Sequence, residues 1–257
     1  MVFHKGYQAD HAAERFLPDG GVELVIDLTE VPKHIHDPDS LAVLETYRGA
    51  WVSGMRTRPI TITADRDSEM LIVSFQPFGA LPVWGVPLHA LKDAVLDAES
   101  VLGQQIRALR ARLKERADPV ERFALVEYWL REALRGAKVH EGRWGLARFA
   151  VDWIRRAPTM ATVDAVAAES GASHRHLIRV FREFVGLTPK QYQRIQRFQR
   201  VVQTVDGQGS VDWAGVAVDC GFYDQAHLIR DFRAFSGMTP GQYMAARGDA
   251  LNYLPVG

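Results

Sequence analysis

Three kinds of side chain in this 257-residue chain could carry chemistry. The first is histidine: the alternate spacing of His34-Ile35-His36 would set two imidazoles on one side of a strand, and His89 could add a third nitrogen ligand. Val31–Asp39, however, reads as a loop, and the next acid after Asp39 is Glu45, so the donor set is incomplete and no metal site is expected. The second is thiol. Cys220 is the sole cysteine, which excludes an internal disulfide and a cysteine-only metal site. Its place beside Gly221 at a helix end reads as buried filler. No Ser-His-Asp arrangement, phosphate-cradling glycine loop or paired-carboxylate signature is found, so neither an enzyme nor a cofactor is expected. The third is arginine. The formal net charge is zero, yet residues 1–100 hold eight Lys or Arg against fifteen Asp or Glu, while residues 171–200 hold seven against one. A basic stretch of this kind suits a nucleic-acid backbone; a solvated helix face is the alternative.

The basic stretch lies inside a repeat. At an offset of 51 residues, His176-Leu177-Ile178-Arg179 falls on His227-Leu228-Ile229-Arg230. Phe181, Arg182, Phe184, Gly186, Thr188, Pro189 and Tyr192 fall likewise on Phe232, Arg233, Phe235, Gly237, Thr239, Pro240 and Tyr243. Two copies make a duplicated module, whereas a solenoid needs at least three. In the first copy Val163–Ser170 reads as a short helix with Thr162 as N-cap. Gly171-Ala172-Ser173 is a turn in which glycine can take a positive φ, and a second helix runs from His174 to about Phe184. Ala167, four residues before the turn glycine, lets the two helices cross closely; Ala217 precedes Gly221 in the same way. Two helices joined by such a turn make a helix-turn-helix. In the second copy the helices are Trp213–Cys220 and Asp224–Phe235, joined by a turn one residue longer. Leu177, Phe181 and Phe184 share one stripe, which leaves Arg175, Ile178 and Arg179 on the opposite face. Pro189–Val205 between the copies would be a helix about 24 Å long, with Lys190, Arg194, Arg197 and Arg200 on its exposed face. A spacer of that size suits successive major grooves, about 34 Å apart.

The segment Ala217 to Arg233, with Gly221-Phe222, Asp224-Gln225 and His227, and the exit Gly237-Met-Thr239-Pro240-Gly-Gln-Tyr243 resemble the AraC family of bacterial transcription regulators. The resemblance spans about residues 145–246. It implies seven helices and two recognition helices meeting the major groove on one face of bent DNA. Carried onto this chain, it implies base reading by Arg175, Ile178 and Arg179 in the first module and by Gln225, Ala226, Ile229 and Arg230 in the second. Arg binds guanine bidentately, Gln reads adenine, and Ile meets only a thymine methyl. His174, Arg182, Arg194 and Arg233 are assigned to phosphate, which positions without specifying. His176 and His227 read as capping or phosphate-contacting residues rather than catalysts. The Pro18-Asp19-Gly20 turn and Ser74–Gly79 carry a looser similarity to the β-rich sensor or partner domains that precede such modules.

The elements that must position these groups point to an α+β fold class. Val22–Leu28, Ala50–Met55, Pro59–Ala64 and Met70–Phe75 read as short strands of a sandwich or barrel-like N-terminal domain. Phe78–Gly103 reads as mixed loop and short helix, and two helices follow, Val101–Ala117 and Pro119–Leu134, the second with Asp118 as N-cap. Their apolar stripes suit either intradomain core or a homodimer. Everything after Arg143 reads as helical, an all-α tandem helix-turn-helix domain, which gives domains 1–136 and 143–257 about a linker at 137–142. No apolar run approaches the roughly 18 residues needed to span a bilayer, and the N-terminus lacks a signal core, so a cytoplasmic protein with no membrane partner is expected. The expected partners are double-stranded DNA through its major groove, a small-molecule effector or protein at the N-terminal domain, a second copy of the chain, and RNA polymerase if the protein activates.

Overall fold

A computed structural model describes residues 1–7, 11–64, 68–159, 162–248 and 251–256. Two five-stranded antiparallel sheets face one another. The first has the order β1 (Val2–Tyr7), β8 (Ser68–Phe75), β3 (Val22–Asp27), β6 (Ala50–Ser53), β9 (Val95–Asp97). The second has the order β10 (Tyr253–Val256), β2 (Ala13–Phe16), β7 (Ile60–Thr63), β4 (Lys33–His36), β5 (Val43–Tyr47). Strand alternation divides the residues of the first sheet. Val25, Trp51, Met70 and Ile72 turn toward the second sheet, where Ile35, Ile60 and Ile62 meet them. Leu24, Ile26, Val52, Leu71 and Val73 turn the other way, into the main core under the helices. Burial on both faces explains why Val22–Leu28 is nearly all apolar.

Four helical pieces cover that outer face: α1 (Leu81–Trp84), a 3-10 turn at Leu88–Leu91, α2 (Ala98–Leu102) and α3 (Gln105–Lys114). The helix expected over Val101–Ala117 is therefore broken. Gly103 at φ 72° takes a left-handed conformation that its missing Cβ permits, and α3 starts afresh beyond it. α4 (Pro119–Arg135) begins as expected, with the Asp118 carboxylate accepting from Val120 N–H. After residues 136–140 the chain continues as α5 (Glu141–Arg156), α6 (Val163–Ser170), α7 (His174–Val185), α8 (Pro189–Thr204), α9 (Trp213–Asp219), α10 (Gln225–Ser236) and α11 (Pro240–Ala246).

Two readings of the sequence are corrected here. His34 and His36 lie on a strand, not in a loop: Ile35 pairs with Ile62, and burying it draws the flanking residues into the ladder. The chain after Arg143 is not all helical. Its tail returns to the sandwich as β10, pairing antiparallel with β2 from Tyr253↔Phe16 to Val256↔Ala13, and buries Leu254. Pro255 fits because an edge strand leaves one side of its backbone unpaired. The tail is also tied to α8, where Gln199 Nε2 donates to Asn252 Oδ1 and to the Pro18 carbonyl, both at 2.7 Å. One continuous core runs from Leu17 in the sandwich through Phe181 and Phe198 to Leu254.

Candidate nucleic-acid interface

Each module is built the same way. In the first, the Thr162 hydroxyl caps α6 and Gly171 ends it at φ 66°. The Ser173 hydroxyl then accepts from His176 N–H to start α7. In the second, Asp212 caps α9, Gly221 sits at φ 77°, and the Asp224 carboxylate accepts from His227 N–H to start α10. A side chain added at Gly221 would come within 2.5 Å of Thr159, so this turn needs glycine for space as well as for conformation. Leu177, Val180, Phe181 and Phe184 of α7 are buried, as are Leu228, Phe232 and Phe235 of α10. The spacer α8 and the last helix α11 open with identical capping boxes, Thr188 with Gln191 and Thr239 with Gln242. Gln191 and Gln242 are a further identity at the same offset.

With one face of each helix in the core, the opposite face is free. Arg175, Arg179 and Arg182 of α7 are exposed, as are Gln225, Ala226, Arg230 and Arg233 of α10. Ile178 and Ile229 are half-buried, and Ile229 packs against the core. Arg179 Nη2 donates to His176 Nδ1 at 3.0 Å, which orients its guanidinium along the helix. His174 is exposed and lies 2.6 Å from Asp164 at the start of α6.

The spacer helix departs from expectation. Lys190 and Arg200 are exposed, but Arg194 and Arg197 turn inward. The buried carboxylate of Asp231 receives Arg194 through Nε at 3.1 Å and Nη2 at 2.7 Å, with Arg197 at 3.9 Å and His227 at 3.7 Å. Arg197 also donates to the Gly221 carbonyl at 3.0 Å and lies over the Phe222 ring. The paired carboxylate raises the Arg194 pKa, while burial lowers that of Arg197. Helical period alone placed both arginines outward. The physical reason for the difference is Asp231, a buried acid that must be neutralised. These two arginines pin α10 and its turn to α8.

Tyr223 is a residue that the sequence reading passed over. It stands 91% exposed in the longer second turn, just ahead of α10. The extra turn residue was the available signal. Cys220 is buried at the C-cap of α9, where desolvation pushes its thiol pKa up. His34 and His36 are hydrogen-bonded to Thr46 and Thr63 at 2.9 and 2.8 Å. His89 lies apart from them on the 3-10 turn. Among the described residues no group of three or more His, Cys, Asp or Glu is gathered for a metal, and no helix is long and apolar enough to cross a membrane.

Residues 166–246 match the family model described as a helix-turn-helix domain. Residues 2–97 match one described as a domain of unknown function (DUF6597). The probable transcription factor PqrA of Proteus vulgaris is 30% identical over 81 residues, which are 32% of this chain and 66% of that protein, just under two thirds of its length. A solved transcriptional regulator from Chromobacterium violaceum, described as an AraC-type DNA-binding protein, is 25% identical. It covers 43% of this chain and 98% of its own, with a TM-score of 0.39. ToxT from Vibrio cholerae O395 is 11% identical over 95% of this chain and 97% of its own, with a TM-score of 0.46. Over residues 166–246, then, this chain carries a helix-turn-helix domain, and over 81 residues it is similar to a probable transcription factor.

Proposed function

We propose that the protein is a sequence-specific regulator that lays α7 and α10 into successive major grooves and that answers to a ligand or partner held by its N-terminal part. The observation that carries the reading is the matched pair of exposed faces, Arg175/Arg179 on α7 and Gln225/Arg230 on α10. Those four, with Ile178, Ala226 and Ile229, are the proposed base readers. Arg182, Arg233, His174 and the exposed Lys190 and Arg200 are the proposed phosphate contacts, and Tyr223 is placed to touch the backbone beside α10. Arg194 serves instead through Asp231, by fixing where α10 sits. A division into an N-terminal unit (1–136) and a DNA-binding unit (143–257) suits this reading, except that the tail belongs to the sandwich.

Bound-site sequencing on genomic fragments, followed by affinity measurements, tests the proposal. Arg179→Ala and Arg230→Ala should each cost about 1–3 kcal/mol on the selected site and relax its sequence preference. Arg200→Ala should weaken all sequences alike and flatten the salt dependence. Unchanged specificity in the Arg230 variant would remove the second module from base reading. Exposed Val120, Ala124 and Tyr128, spaced i, i+4, i+8 on α4, favour a homodimer as the assembly, a point for sedimentation of the full chain. A cytoplasmic location and, for an activator, contact with RNA polymerase complete the proposal.

A further inference from the structure

The two modules repeat a histidine and an arginine three residues apart, His176 with Arg179 on α7 and His227 with Arg230 on α10. Residues at that spacing share a helix face, yet the two histidines are used differently. On α7, Arg179 Nη2 donates to His176 Nδ1 at 3.0 Å. A guanidinium has no lone pair to offer, so Nδ1 is the acceptor and the ring proton sits on Nε2. His176 is held in turn: it is half-buried, and the Ser173 hydroxyl accepts from its backbone N–H at 3.3 Å. On α10, His227 Nδ1 instead accepts from Tyr223 N–H at 3.4 Å, its ring stands edge-on to Phe222, and its Nε2 lies 3.7 Å from Asp231. Two differences between the modules account for the change. The longer turn supplies Tyr223, and Asp231 stands where the first module has the buried Val180. Arg230 is left exposed, with no hydrogen bond or ion pair among the described residues.

We propose that His176 is a positioning residue for base reading: it pre-orders Arg179 for a guanine, whereas His227 serves the turn and leaves Arg230 to be ordered by the DNA. The proposal rests on the reading of both arginines as base readers, and it adds what sets their specificity. A bidentate pair with guanine O6 and N7 needs the guanidinium in one plane and one direction. The bond to His176 uses one N–H of the fork and leaves the others for the base. A long side chain that the DNA must first order gives up part of its contact, about two- to tenfold in affinity. The α7 half of a site is therefore read strictly at its guanine, and the α10 half more loosely at the base that Arg230 meets.

The probe is a duplex selected from a random pool by the unmodified full chain, with each guanine replaced in turn by 7-deazaguanine, which lacks the N7 acceptor. The base read by Arg179 is the one at which Arg179→Ala abolishes the loss of affinity. At that base His176→Ala should shrink the loss about two- to tenfold, while losses at the other guanines stay as they were. His176→Gln, whose side-chain oxygen accepts from Arg179 in place of the ring nitrogen, should restore it. His227→Ala should leave the loss at the base read by Arg230 unaltered, and a shrunken loss there overturns the contrast between the modules. Equal weakening of the normal and substituted duplexes by His176→Ala, the mark of a phosphate contact or of a purely structural residue, overturns the proposal. If Arg179→Ala leaves every loss in place, base reading by α7 fails first and the proposal falls with it. Should His176→Ala not fold, His176→Leu, which keeps the bulk without an acceptor, takes its place.

Discussion

Replacing Asp231 with Asn should detach the second recognition helix from the spacer while leaving the shape of the core unchanged. The Asp231 side chain is 8% exposed and holds Arg194 through two hydrogen bonds, and Arg194 is 36% exposed. Breaking a fully buried pair costs about 3–5 kcal/mol and an exposed pair about 0.2–1. One partner here is buried and the other partly solvated, so about 2 kcal/mol is expected once solvent screening of Arg194 is allowed for. The substituted amide would also turn a donor toward Arg194 and Arg197, whose guanidinium groups have no lone pair to accept it. Urea unfolding of Asp231→Asn, Arg194→Met and the double variant gives the coupling between the two residues, expected at about 1 kcal/mol or more. Because α10 loses its anchor, affinity for a two-module DNA site should fall about tenfold or more, roughly 1.4 kcal/mol. Binding to a half-site for the first module should hold. A coupling below about 0.5 kcal/mol, the range of independent sites, would refute the anchoring argument.

Other consequences follow from the tail, the thiol and one ion pair. Ending the chain after Leu251 removes buried Leu254 and the β10–β2 ladder, which should cost about 3 kcal/mol. Hydrogen exchange of the β2 amides should speed up, and unchanged protection at Ala13–Phe16 would contradict the pairing. The buried, pKa-raised Cys220 should react with a thiol–disulfide reagent at pH 8 only as fast as the domain opens, so rapid labelling of folded protein would refute its burial. Glu69 is held below the ordinary carboxylate pKa by a hydrogen bond from Arg122 Nη1 at 2.6 Å. A lowered folded pKa gives stability that is present above the unfolded value and is lost as pH falls through the folded one. Glu69→Gln should therefore flatten the loss of stability on the acid side of about pH 4.5, as read from unfolding curves between pH 6 and 3.

How much was legible depended on whether the signal was local. The modules were readable because caps, turn glycines and apolar stripes lie within a few residues of what they specify: Thr162, Gly171 and the Leu177/Phe181/Phe184 stripe all act where the sequence suggested. The strands at Val22, Ala50, Ile60 and Ser68 were readable for the same reason, as β-branched runs between turns. β1, β2, β4, β5 and β10 were not. Their residues, such as Lys33-His-Ile-His and Val43-Leu-Glu-Thr-Tyr, are polar or mixed, and only pairing with distant strands makes them extended. The inward turn of Arg194 and Arg197 was hidden likewise, because its cause sits 37 residues away at Asp231.

The same long-range pairing bears on how a signal would travel. Had the modules hung from a flexible linker at 137–142, an event in the sandwich could reach them only through that segment. Instead Gln199, in the middle of the spacer helix, contacts the Pro18 turn and the tail at once, and Arg155 of α5 joins Gln76 to Tyr192 at 2.6 and 2.9 Å. Tyr192 is buried, its pKa pushed up to about 12 by desolvation, so at neutral pH its hydroxyl stays protonated and accepts the arginine hydrogen bond as a neutral group. These contacts meet α8, and α8 holds α10, the proposed second recognition helix, through Asp231. Spacing matters more to tandem readers than to a single one, because both helices must match grooves about 34 Å apart at the same time. A small shift of the sandwich against α8 would thus act on the pair, and it would penalise two-module DNA sites while sparing half-sites.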